Sequence, residues 1–136
     1  MWTCPVCKRQ FKNKNQVHGC HQINLEDLLS KRSVSINQLY NCLHQRFEFS
    51  DFRREVVPPD VIFYKSISTF LAIKLKTKWI DVEFFLDYYL DHPQIKKWLQ
   101  TSKRRFVYVI SIDNEGDITD ELLDWIMYSY NLINTN

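Results

Sequence analysis

Apolar positions recur at helical spacing in some stretches of the chain and at strand spacing in others. Ile36, Leu39, Tyr40, Leu43 and Phe47 fall three or four residues apart, which draws one apolar stripe along a helix. Ser35-x-x-Gln38 has the form of a capping box at its start, and Asn24 with Asp27 marks a shorter helix before it. Near the other end, Leu122, Leu123, Ile126, Met127, Tyr130 and Ile133 repeat the helical spacing. Thr119 stands at the N-cap of that helix, and Asp120 and Glu121 complement its positive end.

Between these helices the pattern changes. Pro58-Pro59 precedes Val61-Ile62-Phe63-Tyr64, a short run able to bury both faces of a strand. Thr69 to Leu86 is strand-like throughout, but 18 residues at roughly 3.3 Å each would reach about 60 Å, too long for one strand of a small domain. The segment must fold back, and Lys76-Thr77-Lys78 is the best turn. Beyond it Ile80, Val82, Phe84 and Leu86 alternate with Asp81, Glu83 and Phe85, which places both carboxylates on a solvent-facing side. His92-Pro93 reads as a helix start, with Ile95, Trp98 and Leu99 as its buried face. Phe106 to Ile112 reads as a central strand and Asp113 to Gly116 as a turn. The expected fold is α+β, in the order α-α-β-β-β-α-β-α, with a small antiparallel sheet packed with helices.

The first residues follow neither period. They read W-T-C-P-V-C-K-R-Q-F-K-N-K-N-Q-V-H-G-C-H from Trp2, and three of the four cysteines lie within the first 20 residues. Cys4-Pro5-Val6-Cys7 presents two thiolates to a tetrahedral ion, and His18 and Cys20 return ten residues later around Gly19. This donor set suits Zn²⁺, with Cys4, Cys7, His18 and Cys20 as ligands. His21 would also complete a tetrahedral set, but a thiolate is the stronger donor, so Cys20 is preferred. A redox pair of the thioredoxin type would need a strand before the motif, and Cys4 stands too near the start. Four protein ligands close the site, so its role is structural. The expected division is a zinc knuckle over residues 1–22 and an α+β domain over 23–136.

Composition narrows the function classes. The chain has 136 residues, 45% of them hydrophobic and 15% aromatic, which gives one dense core and not a disordered segment. No apolar stretch approaches the roughly 20 residues of a spanning helix, and the N-terminus lacks the pattern of a signal peptide, so a cytoplasmic location is expected. The two glycines, Gly19 and Gly116, leave no room for a Walker loop or a dinucleotide fingerprint. A nuclease of the Pro-Asp then Glu-x-Lys kind could start at Pro59-Asp60, but no acidic residue two before a lysine follows it. Cys42 and His44 read as ordinary helix residues, because nothing nearby orients them as a catalytic pair.

Charge points elsewhere. The first 25 residues carry Lys8, Arg9, Lys12 and Lys14 and no acid, while acids gather near the C-terminus, although the net charge is only +2. A basic knuckle could grip the phosphates of DNA or RNA, with Trp2 to stack on a base and Lys103, Arg104 and Arg105, or Lys74, Lys76 and Lys78, as further contacts. Lysines on turns are commonly just solvated. The competing expectation is a protein-interaction domain, whose mark would be a contiguous exposed apolar patch.

Trp2-x-Cys4-x-x-Cys7, Phe11, and Gln16-x-His18-x-Cys20 resemble the head of the bacterial domain-of-unknown-function-5655 family. Leu39-Tyr40, the Phe70 to Leu86 hairpin with Asp81-Val82, and Asp120-Glu121-Leu122-Leu123-x-Trp125 are similar to it as well. The resemblance implies an antiparallel sheet with helices on it and a nucleic-acid-related setting, and it implies no activity. Trp79 departs from the family's pattern, which has a turn glycine there.

Overall fold

The computed structural model of the chain describes residues 2–3, 10–12, 25–57 and 59–134. Two short strands, β1 (Trp2–Thr3) and β2 (Gln10–Phe11), pair antiparallel with Trp2 opposite Phe11 and Thr3 opposite Gln10. Helices α1 (Leu25–Ser30) and α2 (Val34–Gln45) follow. A six-stranded sheet comes next, built from β3 (Arg53–Val57), β4 (Val61–Lys65), β5 (Thr69–Leu75), β6 (Ile80–Leu86), β7 (Ile95–Ser102) and β8 (Arg105–Ile112). Its spatial order is β3-β4-β5-β6-β8-β7, every pair antiparallel. A single 3₁₀ turn over Glu115–Asp117 leads into α3 (Asp120–Asn134). The fold is α+β, as the patterning implies.

Alternation along the strands sorts the sheet into two faces. Ile62 and Tyr64, Leu71, Ile73 and Leu75, Ile80, Val82, Phe84 and Leu86, and Tyr108, Ile110 and Ile112 are all buried on one face. The helices lie on that face. The stripe of α2 buries Ile36, Leu39, Tyr40 and Leu43 into it, with Leu28 from α1 and Leu122 and Ile126 from α3. Ser129, buried in α3, donates from Oγ to the Phe70 carbonyl at 2.7 Å and accepts from the Phe85 N–H at 3.4 Å, which pins the helix to β5 and β6. Arg46, just past α2, donates to the Ile118 carbonyl at 2.7 Å and so ties that helix end to the start of α3.

Several expectations change in detail. The N-cap of α2 is Ser33, whose Oγ accepts from the Ile36 N–H at 3.2 Å, in place of the Ser35 box. Asn24 lies outside the described residues. Thr119 caps α3 as expected, its Oγ accepting from the Leu122 N–H at 3.1 Å. The β5–β6 turn closes where it was placed, with the Lys76 N–H donating to the Trp79 carbonyl at 2.9 Å. The expected element order is corrected twice. Arg53–Val57 forms an extra strand, paired with β4 so that Val57 lies opposite Val61. The segment after Pro93 is not a helix but the edge strand β7, whose Trp98 and Leu99 stay 49% and 64% exposed where a buried face was expected.

Candidate nucleic-acid interface

The residues singled out as a zinc site and basic arm divide sharply. Cys4, Cys7, His18 and Cys20, with Lys8, Arg9 and Lys14, lie outside the described residues. Trp2 opens β1, and Lys12 is exposed just after β2. Among the described residues no group of three or more His, Cys, Asp or Glu side chains converges as a metal site.

The two remaining lysine-rich segments sit at opposite ends of the sheet. Lys76 and Lys78 belong to the β5–β6 turn, and Lys103 and Arg104 to the β7–β8 turn. Strands of seven or eight residues separate these ends, about 24 Å at strand rise. At the first end Lys78 has no carboxylate partner among the described residues, but two other lysines do. Lys76 pairs with Asp60 at 3.3 Å, and Lys96 stands 3.8 Å from Asp81 and 5.3 Å from the Trp79 ring centroid. Asp81 is accordingly not a solvent-facing carboxylate. It is 9% exposed and accepts from Trp79 Nε1 at 3.0 Å and Ser111 Oγ at 2.5 Å. This network gives Trp79 a structural reason to occupy the turn.

At the other end the cations are uncompensated. Lys103, Arg104 and Arg105 are exposed, and among the described residues none of them has a carboxylate within ion-pair distance. Arg105 lays its guanidinium 3.9 Å from the centroid of Phe85, on the sheet face away from the helices. Phe63, Ala72, Glu83 and Val107 share that face with it around a shallow cleft of about 100 Å³.

Beside the same hairpin the chain exposes aromatic rings. Tyr88, Tyr89, Trp98 and Tyr128 are 40%, 53%, 49% and 37% exposed. Tyr89 meets Trp98 edge-on with centroids 5.1 Å apart, and Tyr88 meets Tyr128 likewise at 5.5 Å. Tyr128 donates its hydroxyl to Asp87 at 2.7 Å, and its pKa is raised chiefly by that bond, with the nearby Arg104 charge acting in the opposite sense. The loop that carries Tyr88 and Tyr89 is held from below. The buried Tyr108 hydroxyl accepts from the Leu90 N–H at 2.6 Å and donates to the Tyr88 carbonyl at 3.1 Å. The β6 alternation carried the signal for Phe85, whereas the exposure of Tyr88, Tyr89 and Trp98 depends on where β7 lies and has no sequence signature.

A third grouping lies on the helix-covered face. Tyr64 Oη is 2.7 Å from both Tyr40 Oη and His44 Nδ1, and Arg54 donates to Tyr40 Oη at 3.2 Å. One ordering uses every donor: Arg54 to Tyr40, Tyr40 to Tyr64, and Tyr64 to a neutral His44. Burial, and secondly the Arg54 charge, hold the His44 pKa below its ordinary value. Burial likewise raises that of Tyr64, which stays a donor. His44 is therefore a core hydrogen-bond acceptor, while Cys42 is a half-buried free thiol, as an ordinary helix residue would be.

A family model described as "Domain of unknown function (DUF5655)" matches residues 25–133, well over half of the chain. The match begins after the cysteine-rich head, so the motif from Trp2 to Cys20 lies outside it. No curated protein and no solved structure matches the chain. No helix among the described residues is long and apolar enough to cross a membrane.

Proposed function

The chain belongs to the DUF5655 family, whose description carries no activity, and from that premise we propose that it is a nucleic-acid-binding module in which a structural Zn²⁺ orders a basic N-terminal arm. The observation that carries this reading is the β7–β8 hairpin, where Lys103, Arg104 and Arg105 stand together without a carboxylate partner among the described residues. Unpaired, adjacent cations are the electrostatic footprint of a phosphate-binding surface. The distribution of charge along the chain agrees with it. Four of the 18 basic residues lie within the first 25 and all 16 acidic ones lie from Glu26 onward, so the arm is cationic while the remainder carries 14 cations against 16 acids. Attraction to phosphate then falls to the arm and the hairpin.

Cys4, Cys7, His18 and Cys20 would hold the zinc, which would supply rigidity and no chemistry. The β1–β2 pairing supports this arrangement, because holding Thr3 opposite Gln10 brings together the ends of the segment that contains Cys4 and Cys7. The knuckle then spans residues 1–22 and the folded domain 23–136. We expect one zinc per chain, retained in His21→Ala and lost in Cys20→Ser. Metal analysis of the purified variants checks it, and the opposite result would exchange the fourth ligand.

Binding to DNA or RNA should weaken steeply with salt. Each phosphate contact contributes roughly 0.9 to the slope of log K against log salt on duplex DNA. Replacing Lys8, Arg9, Lys12 and Lys14 by alanine should therefore flatten that slope by about 3 to 4 if all four grip phosphates. Fluorescence anisotropy over a salt series checks this, and no binding at low salt to any DNA or RNA sinks the proposal. One observation favours the alternative of a protein-interaction domain: Tyr89 and Trp98 are half-exposed and in contact at the edge strand, where apolar area usually marks a partner. Under that reading self-association or a protein ligand, insensitive to the arm's charge, replaces nucleic-acid binding.

A further inference from the structure

We infer that the aromatic strip Trp98–Tyr89–Tyr88–Tyr128 is a stacking platform for single-stranded nucleic acid, with Arg104 and Lys103 of the adjoining hairpin taking the phosphates. The inference rests on the nucleic-acid reading above and names its substrate class and its site. Four large rings, each between 37% and 53% exposed, stand in two contacting pairs, Tyr89–Trp98 and Tyr88–Tyr128, and one loop carries a ring of each pair. Their exposure is built in. Tyr88 and Tyr89 lie in the loop after β6, whose backbone the buried Tyr108 hydroxyl grips at both the Tyr88 carbonyl and the Leu90 N–H. Holding a loop so that two consecutive tyrosines face water forgoes the burial their rings would otherwise gain.

Charge selects the occupant. An apolar protein partner would not need cations, yet Lys103 and Arg104 stand in the turn at the same end of the sheet as the loop after β6, where Leu86 lies opposite Phe106, and neither is neutralised by a carboxylate among the described residues. Rings that take bases beside cations that take phosphates are what an unpaired strand requires. A duplex hides its base faces and can use only the cations. Asp87, which accepts from Tyr128, repels phosphate, so the strand backbone should pass on the Arg104 side.

The test compares a labelled oligothymidylate with a blunt DNA duplex by anisotropy at low salt, using the full chain. Trp98→Ala and Tyr89→Ala, both at half-exposed positions, should each weaken single-strand binding by roughly fivefold to 150-fold, the range of one stacked base, and leave duplex binding unchanged. Arg104→Ala should weaken both and reduce the salt slope by about 1. Equal affinity for both probes, untouched by Trp98→Ala and Tyr89→Ala, overturns this inference and leaves the nucleic-acid reading standing. Failure to bind either probe overturns both. Self-association that Trp98→Ala abolishes, with no effect on oligonucleotide binding, also overturns the platform and assigns the strip to a second copy of the chain.

Discussion

Tyr64→Ala is expected to lower stability by about 3–5 kcal/mol from its ring alone, a large part of the roughly 5–15 kcal/mol that holds a domain of ordinary stability. The ring is fully buried and sits among His44, Phe47, Phe49, Phe52 and Phe70, with centroids 5.4 to 6.4 Å away. Those neighbours come from the end of α2, the segment before β3, and β5, so a cavity here loosens several elements at once. Loss of the hydroxyl adds a further cost, because Tyr40 Oη loses its acceptor and His44 Nδ1 its donor. Tyr64→Phe isolates that part, and an orphaned buried polar group costs about 1–3 kcal/mol. Urea unfolding checks both: the midpoint should fall in each variant, more in Tyr64→Ala. A Tyr64→Phe midpoint equal to the parent's would mean that the chain of hydroxyls contributes nothing.

The same chain makes stability depend on pH through His44. Its pKa in the folded protein lies below the ordinary 6.5, from burial first and the Arg54 charge second. The unfolded chain therefore binds the proton more readily. Stability is full above about 6.5, falls as pH drops below it, and levels off once pH passes the lowered folded pKa. His44→Gln should remove that part of the acid-side slope.

The contrast between β6 and β7 shows where the sequence is legible. In β6 a core residue recurs at every second position from Ile80 to Leu86, the register with β5 and β8 is continuous, and the expected core side is buried. In β7 the register with β8 shifts between Ile95 and Lys97 and again between Gln100 and Ser102. A bulge inserts an extra residue and breaks the alternation, so Ile95, Trp98 and Leu99 fall three and four apart and imitate a helical stripe. An edge strand with one partner also keeps its polar residues, so nothing in its composition contradicts a helix. The hidden role of His44 has a similar origin. Tyr40 and His44 are one helical turn apart, but Tyr64 and Arg54, opposite each other in the β3–β4 pair, reach them only through the packing of α2 on the sheet. Asp81 likewise acquires Ser111 from β8 and Lys96 from β7.

Phe84→Ala and Phe85→Ala, at adjacent positions of one strand, should differ several-fold in cost. Phe84 is 2% exposed and lies between Tyr108 and Trp125, both stacked on it at 5.9 Å, so it joins β6 to β8 and to α3. Its truncation should cost about 3–5 kcal/mol and loosen α3, since Trp125 would lose the ring it packs on. Phe85 faces the other way, half-buried under Arg105, and its truncation should cost about 1 kcal/mol, the ordinary size of a substitution outside the core. Denaturant unfolding of the two variants, with hydrogen exchange along α3, reads both effects. The pair is informative because a one-residue slip of β6 would exchange the two faces. A larger loss for Phe85→Ala than for Phe84→Ala would mean that the helices cover the opposite side of the sheet, and with it the side that Arg105 leaves open.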